Sequence, residues 1–210
     1  ISNEIKVSNG NVYFLNKNIN EWSISELANK KAVLSQANNL VFPFTVIDIV
    51  KMGRYPLDNK GNNLEEDLLC KKILDIFDLN DLINQNYITL SGGEKQRVQL
   101  ARITAQIWSD DYSEKLLILD EPTSYLDIKH QQSLFKYLNK LNKKGLTIMM
   151  VLHDLNHAIS NSNKIIVLKD SKMISYGETS KVINEELIKN VFEIDLKLIN
   201  YDDGNVSLIL

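Results

Sequence analysis

Three uninterrupted apolar runs constrain this fold more than any other feature: LLILD (116–120), TIMMVLH (147–153) and IIVL (165–168). None alternates polar with apolar, which is the pattern of parallel strands buried on both faces. Between the first two lies a stretch with Ile128, Gln131, Leu134, Phe135, Leu138 and Leu141 three to four residues apart, followed by Gly145. That spacing predicts an amphipathic helix closed by its glycine. Strand, helix and strand in this order make an α/β unit.

Upstream the texture differs. GNVYFLNKNI (10–19) predicts an edge hairpin turning at Asn16-Lys17, ISELANK (24–30) a short helix, and AVLSQ (32–36) a strand running into Gln36. Thr45 and Asp48 form a capping-box pattern, with Val46, Ile49 and Val50 on one helical face. A polar loop (58–63) precedes a second helix whose apolar positions are Leu64, Leu68, Leu69, Ile73, Ile76 and Phe77. Ser91 opens a third. The expected organisation is a partial α/β lobe over 1–36, a helical lobe over 37–108 and an α/β lobe over 109–210.

Composition excludes some classes. With 210 residues there is enough chain for a real core, and a net charge of -3 gives no basic excess for nucleic acid. The one cysteine, Cys70, cannot form an intramolecular disulfide and sits in a helical run, where a small core filler is the expected role. No stretch has the apolar length of a membrane span, and no signal-peptide pattern opens the chain.

The chemistry gathers where the strands end. In open parallel sheets ligands sit beyond the carboxyl ends of the strands. LLIL runs into Asp120 and Glu121, and TIMMVL into His153. Asp120 is placed to hold Mg²⁺ and Glu121 to polarise an attacking water. A lone acid pair could instead cap a helix, and a lone histidine could be a satisfied core residue. Ser91, with Glu94 three residues on, satisfies the capping-box rule. Gly92 and Gly93 would let an anion reach the first amides of that helix, although turn-making is the plainer use of a glycine pair.

LSGGEKQRVQLAR (90–102) resembles the signature motif of the ATP-binding cassette (ABC) ATPases, and LLILDEPTSYLD (116–127) resembles their Walker B strand, catalytic glutamate and D-loop. Gln36 matches the Q-loop and His153 the switch histidine. The likeness covers nearly the whole chain. FPFTVIDIVKMGRYP (42–56) is similar to the importer ATPases for iron chelates, cobalamin and haem. FPFTV, ARITAQIW followed by SDDYSEK, DIKHQ and the final YDDGNVSLIL look most like haemin-importer subunits. Tyr125 departs from the usual D-loop alanine, and His157 from the leucine common in this branch; Tyr125 is placed to alter contacts between two ATPase subunits.

The resemblance implies an α/β, P-loop NTPase-like fold with a mostly parallel core sheet and an inserted helical lobe. It implies ATP and Mg²⁺, with ATP sandwiched between two ATPase subunits. Ser91, Gly92 and Gly93 would contact the γ-phosphate of the nucleotide seated in the partner. Gln36 and Asp120 would serve the metal and its waters, Glu121 the attacking water, and His153 the γ-phosphate, with Asp127 at the dimer seam. The implied assembly is an ATPase homodimer beneath two transmembrane permease subunits on the cytoplasmic face of the inner membrane, fed indirectly by a periplasmic or surface haem-binding protein. Phe42, Pro43 and Phe44 would face the permease, the plainer reading being that they pack inward.

Two rivals remain. A ferric-siderophore or cobalamin importer would use the same ATPase chemistry. A non-transport cassette ATPase of the DNA-repair or translation kind would split or duplicate the cassette, whereas Gln36 and Ser91 are 55 residues apart and there is no second cassette. An inactive remnant would not need an intact acid pair and histidine.

One element is missing. A phosphate loop needs GxxxxGK[ST], and none of the eight glycines is followed by lysine. The expectation is that the natural protein extends N-terminally of Ile1, that the 210 residues alone do not bind ATP measurably, and that LLILD lacks a ladder partner.

Overall fold

The computed structural model describes residues 7–35, 42–57, 62–195, 197–200 and 206–209. The chain falls into two compact units, Ile1–Val151 and Leu152–Leu210. Gln36 lies outside the described residues, as do 58–61 of the expected polar loop.

In the first unit, β1 (Tyr13–Phe14) and β2 (Lys17–Asn18) form a small antiparallel hairpin. Its turn residues are Leu15 and Asn16, at φ 49° and 61°, one position before the expected Asn16-Lys17. Two left-handed residues match the right-handed twist of the flanking strands, and that fixes the register. α1 (Ile24–Lys30) starts on a Ser23–Glu26 capping box and leads into β3 (Lys31–Leu34). The Thr45–Asp48 box opens α2 (Val46–Met52), which buries Val46, Ile49 and Val50. α3 (Asn63–Ile76) starts on an Asn62–Glu65 box, and α4 (Gly92–Ile107) on Ser91 and Glu94. β4 (Leu116–Asp120), α5 (Ile128–Lys143) and β5 (Thr147–Val151) complete the unit.

The parallel sheet has the order β3-β4-β5. Leu116 pairs with Lys31 on one side and Thr147 on the other, in register to the end of each strand. LLILD therefore has a partner on both sides, contrary to the expectation that it would lack one. Among the described residues the two outer strands carry the open edges instead, and TIMMV is only half covered: Thr147 and Val151 are exposed. That strand was expected to be buried on both faces.

α4 is the pivot of the unit. Val98, Leu100, Ala101, Ile103, Ala105 and Ile107 enter a single core shared by the sheet and the helices. Its Gln106 amide donates to the carbonyls of Ala28 and Lys31, both at 3.1 Å, tying the helix to the root of β3. Arg54, just past α2, donates to Glu66 on α3 at 2.7 and 3.0 Å and to the Ala105 carbonyl on α4 at 2.8 Å. Gly53 sits where the chain touches α4: a β-carbon there would meet the Arg102 carbonyl oxygen at 2.1 Å. Cys70 is fully buried in this core, and its burial raises the thiol pKa to about 11, as suits a packing residue.

The helical faces were read a little too generously. Leu64 and Leu68 on α3, and Ile128 on α5, are exposed. Each sits in the first turns of its helix, on the rim of the apolar stripe. Leu134, Phe135, Leu138 and Leu141 are buried as expected, and Gly145 follows α5 at φ 98°.

The second unit holds α6 (Leu155–Asn161), β6 (Lys164–Lys169), β7 (Lys172–Glu178), α7 (Thr179–Val182), α8 (Glu185–Phe192), β8 (Lys197–Asn200) and β9 (Val206–Ile209). IIVL is not the parallel strand that its apolar run suggested. β6 pairs antiparallel with β7 through a turn at Asp170 and Ser171, and Ile166 and Leu168 are exposed while Val167 is buried. A small core of Ile159, Ile183 and Ile188 holds this unit together.

Candidate functional site

β4 is the central strand, and its carboxyl end is the natural seat of the site. Asp120 is its last residue and half-buried. Among the described residues its carboxylate has no hydrogen-bond or ion-pair partner. Glu121 then turns the chain: its backbone is left-handed at φ 48°, and its N–H donates to the Val151 carbonyl on β5 at 3.1 Å. The Ser124 hydroxyl donates to the Glu121 carboxylate at 3.1 Å. A glutamate gains nothing in stability from a left-handed conformation; it is held there by the hydrogen bonds on each side.

The loop from Glu121 to Asp127 is tied at several points. Ser124 N–H donates to the Glu121 carbonyl and Leu126 N–H to that of Thr123, each at 3.1 Å. Leu126 is buried, and its carbonyl accepts from the Gln131 amide at 3.0 Å. Asp127 is the N-cap of α5 and accepts from the His130 N–H at 2.8 Å. That bond, first among the causes, holds the Asp127 carboxyl below the usual carboxylate range.

The first turn of α4 stands beside this loop. Ser91 and Glu94 cap one another: the Ser91 N–H and hydroxyl donate to the Glu94 carboxylate at 2.8 and 2.7 Å, and the Glu94 N–H returns to the Ser91 hydroxyl at 3.4 Å. The Gln96 amide reaches across to the Pro122 carbonyl at 3.2 Å and the Glu121 carbonyl at 3.5 Å. Gly92 is exposed at the helix tip, so its backbone is open to an anion on that side. On the other side both glycines meet Tyr125. A β-carbon on Gly92 would lie 3.3 Å from the ring, and one on Gly93 only 2.7 Å from the Tyr125 carbonyl oxygen.

Within one unit the fold thus brings together Ser91, Gly92 and Gly93 with Asp120, Glu121 and Asp127. His153 belongs to the second unit, two residues past β5, exposed and next to Asp154, the N-cap of α6. Gln36 lies outside the described residues. Sequence reading missed Gln96 and His130. The His130 ring nitrogen Nδ1 is 2.8 Å from the Asp127 carboxylate, and Nε2 lies 3.4 Å from that of Asp78, which the turn after α3 supplies. An i,i+3 pair after an N-cap signals the first contact; nothing local signals the second. An apolar cleft of about 410 Å³ also exists in this unit, among Val12, Phe14, Ile19, Leu116, Thr147 and Met149, at the opposite ends of β4 and β5 from the acid pair.

Residues 1–124 match the ABC transporter family. The hemin import ATP-binding protein HmuV of Escherichia coli O157:H7 is 37% identical over 98% of this chain and 79% of its own length. HmuV of Hahella chejuensis is 34% identical over 95% of this chain and 77% of its own. Among solved structures, a metal-chelate type ABC transporter in an inward-facing conformation superposes with a TM-score of 0.69 at 25% identity, covering 86% of this chain and 72% of that one. The cassette MJ0796, dimeric and bound to ADP and Pi, gives 0.70 at 27% identity over 82% of this chain and 74% of that one. The family match and these relatives show that the chain belongs to the ABC transporter family as one of its ATP-hydrolysing cassettes.

Proposed function

We propose that this cassette powers haemin import, working as a homodimer beneath two permease subunits on the cytoplasmic face of the membrane. The observation that carries the ATPase part is the acid pair at the end of the central strand, with Glu121 fixed in a left-handed turn beside the first turn of α4. The cargo rests on the relatives, whose name is hemin import ATP-binding protein at 31–37% identity. A metal-chelate importer is the second reading, favoured by the likeness to the metal-chelate type transporter. Among the described residues no helix is long and apolar enough to cross a membrane, so attachment would come through the permease.

The residues fit a magnesium nucleotide. Mg²⁺ takes one or two carboxylates and fills its remaining positions with phosphate oxygens and water. Asp120, half-buried at a strand end and without a partner among the described residues, offers such a carboxylate, and Gln36 would be the second protein ligand. A bound metal would neutralise phosphate charge that develops in the transition state. Glu121 would accept a proton from the attacking water, with the Ser124 hydroxyl orienting its carboxylate. His153 would donate to the γ-phosphate. Ser91, Gly92 and Gly93 would offer their hydroxyl and amides to the γ-phosphate held by the partner subunit, and Asp127 would meet the partner at the seam.

Glu121→Gln in the full-length gene product tests the assignment. It removes the base and keeps the shape, so hydrolysis should fall at least a hundredfold while ATP binding is retained and an ATP-bound dimer accumulates. Wild-type turnover by that variant would remove Glu121 from the mechanism.

A further inference from the structure

Tyr125 is the one residue of the loop whose position serves no evident purpose of its own. It is 81% exposed, so its ring contributes little to the core. Its backbone is left-handed at φ 65°, a conformation strained for any residue but glycine. It is nonetheless held there, between the Glu121 and Thr123 carbonyls that bind its neighbours and the buried Leu126. Strain kept by surrounding bonds at an exposed position points to a use outside stability.

The use is visible in what Tyr125 touches. Its ring lies along one side of Gly92, with Cδ1, Cγ and Cβ at 3.3, 3.5 and 3.6 Å from where a β-carbon of Gly92 would stand. Its carbonyl closes on Gly93 at 2.7 Å from that residue's would-be β-carbon. Gly93 is therefore demanded from within the chain, by the approach of the Tyr125 carbonyl, while Gly92 is in close contact with the ring.

We propose that Tyr125 is a positioning residue: its ring and its carbonyl seat Gly92 and Gly93 at the head of α4, setting how tightly this protomer grips its partner's nucleotide. This deepens the proposed function and rests on it. A protomer would thus present its amide cluster in a geometry set by the same loop that carries Glu121, with Gln96 as the second tie.

The test uses the full-length gene product carrying Glu121→Gln, so that ATP-driven dimerisation is read without turnover. Tyr125→Ala should weaken that dimerisation at least tenfold by sedimentation, and Tyr125→Phe should stay within twofold of the parent. Tyr125→Gly, which also relieves the backbone strain, should behave like Tyr125→Ala. Hydrogen exchange of the 89–95 peptide should be faster in the Ala and Gly variants than in Phe, with or without nucleotide. Tight dimerisation by Tyr125→Ala would overturn the proposal, and so would recovery by Tyr125→Gly, which would make strain the cause. If the parent fails to dimerise with ATP, the proposed function is at fault; the exchange data then decide alone, and equal rates in Ala and Phe would overturn the ring's role.

Discussion

At the scale of single residues, the capping pair at the head of α4 carries more than local stability. Ser91 bonds hold the Glu94 carboxyl below its ordinary value near 4.5, the side-chain bond being the larger cause and the backbone bond the next. The sign follows directly. A carboxyl depressed in the folded state stabilises the fold fully above its unfolded pKa, and that contribution is lost as pH falls through the lower, folded value. Ser91→Ala removes the cap and should cost about 1 kcal/mol in urea unfolding at neutral pH. Glu94→Gln should flatten the acid limb of the stability curve below pH 4.5 relative to wild type. An unchanged acid limb would mean that Glu94 is not held as its bonds indicate. The same residues would hold the phosphate-facing amides in place, so a cap visible in the sequence is also the frame of the site.

At the scale of elements, the Arg54–Glu66 pair joins the turn after α2 to α3, and Arg54 also binds the Ala105 carbonyl on α4. Both side chains are mostly buried, at 11% and 16% exposure. Removing one partner leaves the other charge without its mate in a poorly solvated place, which costs about 3 kcal/mol or more. Arg54→Ala should therefore lose about that much in denaturant unfolding, while Arg54→Met with Glu66→Leu should recover most of it. A single variant as stable as wild type would show that the pair only decorates the surface.

The pair also marks a limit of sequence reading. Capping boxes at Thr45 and Ser91 are local patterns, and both form. Leu134, Phe135, Leu138 and Leu141 declare their face by spacing. Arg54 with Glu66, or His130 with Asp78, meet only after tertiary folding, and no periodicity announces them. IIVL failed for another reason: a short apolar run does not state whether its neighbour runs parallel or antiparallel. Lys169 to Lys172, polar and centred on Asp170-Ser171, was the hairpin signal. The site was legible because strand ends and helix starts carry their chemistry in contiguous letters; the seat of Gly93 under the Tyr125 carbonyl was not, since it depends on a 32-residue return of the chain.

At the scale of the molecule, the sheet of the first unit ends in an open strand. Among the described residues β5 pairs only with β4, so its other edge shows unpaired backbone groups. TIMMVL is six residues with no charge, no proline and strong strand propensity, which is the composition that invites a second chain to add itself. Natural edges are blunted with lysine, and β5 has none. Thr147 is exposed at the start of this strand, and its backbone N–H already donates to the Lys115 carbonyl at 3.1 Å, so its side chain can be replaced without breaking the ladder. Thr147→Lys in the 210-residue chain should therefore shift it toward the monomer in light scattering at equal concentration, with unfolding stability within about 0.5 kcal/mol of the parent, as for other exposed substitutions. Because charge at an open edge repels a docking strand but leaves pairing to β4 intact, association and stability should separate in this variant. If scattering stays the same while the fold is kept, edge pairing along β5 is not what draws these chains together.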